Sequence, residues 1–212
     1  MGDYIDADDA RQDLADGLAK DLIAGYPEGK SYIPRDRFEA RIDRDAIRQC
    51  LPDVPESLLN FVSNSAPRIF AILLYSGCIP VKIGLQAALQ ACKDSELTDA
   101  KLPFPRQTEK CDCYEDAAVC RHRVAGNVLK KWRESGWQKF YTTQWQFLAL
   151  EFKAGDFDYV LDEQSILPIA RLEGHGEGSF GDVVEGELNK HHIGALKRVS
   201  LRSMLLSGVS SF

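Results

Sequence analysis

Apolar residues recur at helical spacing through the first 95 residues of the chain. They stand three or four positions apart in stretches such as Leu14–Leu22, Leu58–Leu73 and Ile83–Ala91. Glycines and prolines lie between these stretches, and both residue types interrupt helices. The pattern therefore predicts four or five helices joined by short loops. Its longest apolar run, Ile69–Tyr75, has seven residues against the roughly 20 of a membrane span, so we expect a buried core helix and no membrane association.

A second helical region follows a polar stretch, about 94–116, that we interpret as an irregular linker. Large side chains recur at helical spacing along this region. They are Trp137, Tyr141, Trp145, Leu148 and Phe152. Eight of the 20 aromatic residues lie between Trp137 and Tyr159, and this concentration predicts that the segment packs into a core.

Beyond Gly155 the pattern changes to short β-compatible runs separated by glycines and polar turns. The runs are Ser165–Ile169, Asp182–Glu187 and Gly194–Val199. We therefore predict an α+β protein, with a helical N-terminal region at 1–155 and a β-containing region at 156–212.

Composition places the chain among globular proteins, with 44% hydrophobic and 27% charged residues. Acidic residues occupy the N-terminus, where a signal peptide would need positive charge and an apolar run. The six cysteines are then expected to be reduced thiols, and we place the protein in the cytoplasm or nucleus. Cys50, Cys78 and Cys92 fall in helical patterns and are interpreted as small core residues.

Charge is distributed unevenly along the chain, whose net charge is −6. The segment from Leu188 to Phe212 contains no acid and carries +4, so the rest of the chain carries −10. This asymmetry makes the C-terminal segment a candidate for binding anions.

The most informative motif is Gly176-Glu-Gly-Ser-Phe-Gly-Asp-Val183. A dinucleotide-binding fold would open a helix at the third glycine and place an acid about 20 residues later, and neither condition is met. A P-loop would need Lys after Gly181, where Asp182 stands. A nucleophile elbow would need Gly two residues before Ser179, where Glu177 stands.

The glycine-rich loop of protein kinases is the remaining context, a β-hairpin whose second strand begins at the valine. It requires a third strand bearing Ala-x-Lys, and Ala195-Leu-Lys197 stands 14 residues after Val183. An antiparallel pairing that faces Val183 with Lys197 places the turn at Asn189–His191.

In these elements the sequence resembles the start of a eukaryotic protein kinase domain, of a fungal group with a helical N-terminal extension. The resemblance is specific over 166–199 and looser over 137–165. It implies an ATP site formed by Gly176, Gly178, Ser179, Phe180, Gly181, Val183, Ala195 and Lys197. In the roles that the family implies, the glycine amides hold the phosphates, Phe180 caps the hairpin, Val183 and Ala195 cover the adenine, and Lys197 holds the α- and β-phosphates.

The departures from the family predict a truncated, inactive kinase-like N-lobe. Gly174-His175 replaces the usual apolar residue before the first glycine, so we expect the first strand to be shifted or bulged. No Glu follows Glu187, and the His-Arg-Asp and Asp-Phe-Gly motifs are absent, so the groups that hold Mg²⁺ and position the acceptor of a serine/threonine kinase are missing. The alternative is a non-enzymatic helical protein-interaction module with a vestigial kinase tail, whose partner the sequence does not identify.

Three further patterns have ordinary explanations. Cys111, Cys113, Cys120 and His122 are spaced too tightly for common zinc sites, so we expect reduced cysteines and no metal. The arginines at 37, 41, 44 and 48 would form one helical stripe, but acids alternate with them, so we expect ion pairs and no nucleic-acid binding. His191 and His192 fall in the predicted turn and are expected to be exposed.

Overall fold

The chain is described here by a computed structural model. The description covers residues 6–79, 82–105, 128, 132, 134–152, 161–178 and 181–192, and for 170–178 and 181–187 it extends to the backbone alone. Within these ranges the protein combines α-helices with two small antiparallel sheets, which confirms the predicted α+β class.

Seven α-helices lie within the described residues. They are α1 (Ala7–Asp21), α2 (Arg35–Arg41), α3 (Arg44–Cys50), α4 (Glu56–Ser65), α5 (Pro67–Ser76), α6 (Gly84–Asp94) and α7 (Glu134–Gln144). Short 3-10 helices cover Asp99–Lys101, Trp145–Phe147 and Lys190–His192. Six α-helices therefore precede residue 95, more than the four or five predicted.

The prediction of a single arginine-bearing helix around residues 37–48 is wrong, because α2 ends at Arg41 and a separate helix, α3, begins at Arg44. Asp43 caps α3, since its Oδ1 accepts a hydrogen bond from the Ala46 N–H at 2.7 Å. The carboxylate of Asp43 marks the start of a new helix, and the spacing of apolar residues does not reveal such a cap.

Three of these four arginines form ion pairs, as expected, but their partners lie on other helices and are not the acids that alternate with them. Arg41 pairs with Asp21, and Arg44 and Arg48 both pair with Glu56. These contacts join α2 to α1 and α3 to α4.

Two antiparallel sheets accompany the helices. The first, which was not predicted, pairs β1 (Ile23–Ala24) with β2 (Ser31–Tyr32). The second pairs β3 (Ile169–Gly178) with β4 (Gly181–Leu188). The predicted strand Asp182–Glu187 lies within β4, whereas the predicted strand Ser165–Ile169 is wrong because β3 begins where it was expected to end. The predicted strand Gly194–Val199 lies outside the described residues.

Helix α5 is the centre of the hydrophobic core. It packs against α1, α4, α6 and α7, and Ile69–Leu73 are at most 1% exposed, as predicted for the longest apolar run. The aromatic residues Trp137, Tyr141, Trp145 and Phe152 are also buried, which confirms that this stripe is core. Among the described helices none is long and apolar enough by itself to cross a membrane, and α4 and α5 qualify only as a pair bent by 95°.

The described part of the predicted linker is irregular but packed. Leu97, Leu102 and Phe104 are buried, and a buried amide holds the backbone in place. The Gln144 side chain accepts a hydrogen bond from Phe104 N–H and donates one to Phe104 C=O, both at 2.8 Å. The amide thus satisfies two buried backbone groups at once.

The N-terminus of α5 has no cap from its own segment and receives one from residue 99. Asp99 accepts hydrogen bonds from the N–H groups of Arg68 at 2.8 Å and Ile69 at 3.0 Å. Burial raises the pKa of Asp99 to about 6 although both bonds and the Arg68 charge oppose the shift. The central helix is therefore fixed to the segment that follows α6.

We expect Asp99→Ala to lower the free energy of unfolding by about 1–2 kcal/mol, because two buried N–H groups lose their acceptor. Asp99→Asn keeps only one of the two acceptor oxygens, since Oδ2 accepts from Arg68 and Oδ1 from Ile69, and is expected to recover only part of the loss. Urea unfolding at pH 7 measures both effects. Asp53→Ala, which removes an exposed carboxylate, is the control, and equal stabilities for the Asp99 and Asp53 variants would contradict the capping role.

Candidate functional site

The glycine-rich motif lies at the tip of the β3–β4 hairpin. Gly176 and Gly178 belong to the end of β3, Gly181 begins β4, and Val183 lies two residues further along. The predicted site residues Ser179, Phe180, Ala195 and Lys197 lie outside the described residues. The hairpin brings together four of the eight predicted positions at one end of one sheet.

The register of the hairpin contains the irregularity that the sequence predicted. Gly178 pairs with Gly181 and Glu177 with Asp182, but the next pair is Gly174 with Val184. Strand β3 therefore holds one more residue than β4 between these pairs, which is a β-bulge at His175–Gly176. The prediction of a shifted or bulged first strand is confirmed.

The base of the hairpin is attached to the helical body by a small apolar cluster. Phe152, Leu167, Ile169 and Leu188 form this cluster, and Tyr26 packs against it. Tyr26 and Leu167 also exchange backbone hydrogen bonds of 3.0 and 2.8 Å. The β1–β2 region thus holds the chain just before β3 begins.

His192, predicted to be exposed, is 4% exposed, so that prediction was wrong. Its Nε2 accepts a hydrogen bond from the Arg35 N–H at 3.3 Å, and its Nδ1 lies 3.2 Å from Leu150 O. The ring meets Tyr32 edge-on, with centroids 5.1 Å apart. These partners stand more than 40 positions away in sequence, which is why a local turn pattern does not reveal the burial.

Backbone hydrogen bonds also hold the turn Asn189–His192, which we call the junction, to two neighbouring segments. Asn189 N–H donates to Pro168 O at 2.8 Å, and His192 N–H donates to Asn189 O at 2.9 Å. The Phe152 N–H then donates to His192 O at 2.9 Å. The turn that follows β4 is therefore joined both to the segment before β3 and to the segment that follows α7.

The electrostatics of the junction favour a neutral imidazole. Burial lowers the pKa of His192, and the positive charge of Arg68 acts in the same direction. The Leu150 carbonyl and the carboxylates of Glu151 and Asp36 act in the opposite direction. Glu151 is shared between two guanidinium groups, 3.1 Å from Arg35 and 3.3 Å from Arg68, which limits its effect on the ring.

The neighbouring histidine has the opposite character. His191 stands at the surface with a side chain 37% exposed, and its Nε2 lies 3.4 Å from Asp36 Oδ2. Its expected exposure is consistent with this position.

Thiol and metal chemistry find little support within the described ranges. No group of three or more His, Cys, Asp or Glu residues there is arranged to hold a metal ion, and Cys111, Cys113, Cys120 and His122 lie outside them. Cys50, Cys78 and Cys92 are free and buried, as predicted. Burial raises the pKa of Cys50 and Cys78 to about 11 and that of Cys92 to about 12.

A shallow pocket of about 170 Å³ lies between the β1–β2 turn and the end of α7. Its polar lining includes Lys30, whose Nζ lies 3.3 Å from both Glu163 O and Gln164 Oε1. Small-molecule sites usually enclose about 300–1,000 Å³, so this pocket is too small for a nucleotide. Sequence reasoning missed it, because its walls come from three distant segments that share no motif.

Comparison with known proteins gives no relative: no protein-family model, curated protein or solved structure matches the chain.

Gly25 lies where the body meets the segment before β3. A Cβ at this position would lie 2.7 Å from Ile166 Cγ2 and 2.9 Å from Tyr32 Cδ1. We expect Gly25→Ala to lower the free energy of unfolding by about 1–3 kcal/mol through overpacking. Urea unfolding provides the measurement, with Ala24→Ser at the exposed neighbour as the control. Equal stability of the two variants would contradict the close packing.

We also expect Cys50, Cys78 and Cys92 to resist alkylation in the native protein. Their thiolate fractions are very small at pH 8, and their side chains are buried. Peptide mass spectrometry after iodoacetamide treatment, with a urea-unfolded sample as the control, measures the labelling of each thiol. Rapid labelling of the native protein at these positions would contradict their assignment to the core.

Proposed function

We propose that this chain is a nucleotide-binding protein of the kinase-like type, in which the β3–β4 hairpin receives the phosphates of ATP. The observation that carries the proposal is the placement of the motif glycines. Two of them end β3, the third begins β4, and two residues separate the strands. This is the hairpin arrangement that a glycine-rich phosphate loop requires.

The physical support comes from the backbone at the tip. Glycine has no Cβ, so a phosphate oxygen can approach the N–H groups around Gly178 and Gly181 closely. The bulge at His175–Gly176 adds a residue that leaves the regular ladder, and its backbone groups are then free to bind a ligand. Both features lie at the same end of the hairpin.

The charge of the C-terminal sequence supports an anionic ligand. The segment from Leu188 to Phe212 carries +4 and no acid. In the proposal Lys197 holds the α- and β-phosphates, and Val183 and Ala195 cover the adenine. These three roles follow from the kinase resemblance.

The proposed activity is binding without phosphoryl transfer by these 212 residues alone. Transfer requires Mg²⁺ ligands and a carboxylate that positions the acceptor hydroxyl. The sequence has neither His-Arg-Asp nor Asp-Phe-Gly. Mg²⁺ would accompany the nucleotide only where a complete kinase domain supplies its ligands.

One observation favours the alternative of a helical protein-interaction module. The larger hydrophobic core comes almost entirely from residues 10–149, with Ile166 as its only buried contributor from the later described residues. The helical body is thus the bulk of the described structure. In this alternative its partner is a protein and the hairpin is accessory.

Thermal unfolding with and without ATP tests the proposal. A 100-fold excess of ATP over its Kd is expected to raise the Tm of the full chain by about 5–10 °C, because the ligand binds the folded state. Lys197→Met should abolish most of the shift, because it removes the proposed phosphate contact. Lys190→Met, which removes an exposed lysine from the same acid-free segment, is the matched control and should keep the shift.

The absence of an ATP-dependent shift in the wild-type chain would overturn nucleotide binding and leave the interaction module as the better account. A shift that Lys197→Met leaves unchanged would contradict the kinase-like mode of binding. Adenosine without phosphates is expected to give a much smaller shift, because the hairpin acts on the phosphates.

A further inference from the structure

The turn that follows the glycine-rich hairpin is held by the buried imidazole of His192 in addition to its backbone hydrogen bonds. Three segments meet at the His192 ring: Tyr32 at the end of β2, Arg35 at the start of α2, and Leu150 beyond α7. The ring thus contributes side-chain contacts to all three segments, beyond the backbone bonds at the same turn. None of the phosphate-binding roles described above uses this residue.

The hydrogen bonds select one protonation state of the ring. Nε2 must be unprotonated to accept the Arg35 N–H at 3.3 Å. Nδ1 then carries the proton of the neutral ring and donates it to Leu150 O at 3.2 Å. The neutral Nδ1–H tautomer satisfies both partners at once.

Protonation would disrupt this arrangement. A proton on Nε2 would face the Arg35 N–H, so a donor would oppose a donor where a hydrogen bond had been. The resulting charge would also be buried, and a buried charge is costly unless it is fully paired. The ring can escape both penalties by leaving its site, and the turn after β4 would then separate from α2.

The groups around the ring do not supply a dedicated counter-ion. Arg68 of α5 and Arg35 of α2 bring positive charges near the ring, and Asp36 of α2 brings a negative charge. Tyr32 of β2 is a neutral phenol. Glu151 beyond α7 is already divided between the two arginines. On its own 3-10 helix, Lys190 adds a positive charge, and His191 engages Asp36 at 3.4 Å.

We propose that His192 is a pH-sensitive latch that strengthens the attachment of the glycine-rich hairpin to the helical body when its ring is neutral and weakens that attachment when the ring is protonated. The latch concerns the attachment of the hairpin and does not require that the hairpin binds a nucleotide. Its consequence for a bound ligand would be a site that is ordered at neutral pH and loosened in acid.

The direction of the effect follows from the lowered pKa of the attached ring. A base whose pKa falls on attachment contributes stability that is fully present above its free pKa of about 6.5. That contribution is lost as the pH falls through the lower pKa of the attached ring. Helix α6, which supplies none of the hydrogen-bond or aromatic partners of this ring, should keep its protection over the same range.

Hydrogen exchange measured by mass spectrometry on the full chain tests the latch. Exchange in β3 and β4 is compared with exchange in α6 at pH 7.5 and pH 5, after correction for the intrinsic rate at each pH. We expect protection of the hairpin to fall about fivefold at pH 5, as for the loss of one hydrogen bond. Protection of α6 should stay unchanged.

Two variants separate the latch from general acid effects. His192→Gln cannot take up a proton, so its hairpin protection should be equal at the two pH values, whether it is high or low. His191→Gln, the matched control, should keep the fivefold loss. The proposal would be overturned if the wild-type hairpin keeps its protection at pH 5, or if His192→Gln loses protection with pH as the wild type does.

Discussion

The junction at the base of the hairpin, to which the buried imidazole of His192 belongs, is the contact on which the position of the candidate site depends. The hairpin itself is a two-stranded sheet, and such a sheet has little stability in water without packing against something else. Its base packs through a few apolar side chains, and His192 adds hydrogen bonds to α2 and to the segment after α7. The glycine-rich tip is therefore placed relative to the helical body by a junction near its base.

The helical body supports that junction through two polar side chains that bond irregular segments of the chain. Asp99 caps the central helix α5 from another segment, and Gln144 bonds both backbone groups of Phe104. These contacts fix irregular chain that carries few helical hydrogen bonds of its own. Arg68 connects the capped end of α5 with the junction, since its backbone N–H donates to Asp99 and its guanidinium pairs with Glu151 beside the junction.

Sequence reasoning succeeded where the signal was local. Apolar spacing located most helices and the core run at Ile69–Tyr75, and the glycine motif predicted the hairpin with its bulge before Gly176. It failed where distant residues decide the outcome. Asp43 splits a predicted helix through one capping bond, and the partner of His192 at Arg35 is 157 positions away. The roles of Ala195 and Lys197 lie outside the described residues and rest on the motif.

The most direct measurement for this account is the protonation state of the His192 ring at pH 7. Long-range ¹H–¹⁵N correlation spectra of the full chain distinguish the two neutral tautomers from the imidazolium, and His192→Gln assigns the signal by its loss. The account predicts the neutral Nδ1–H tautomer, with Nε2 unprotonated. A charged ring, or a proton on Nε2, would contradict the junction that positions the glycine-rich hairpin.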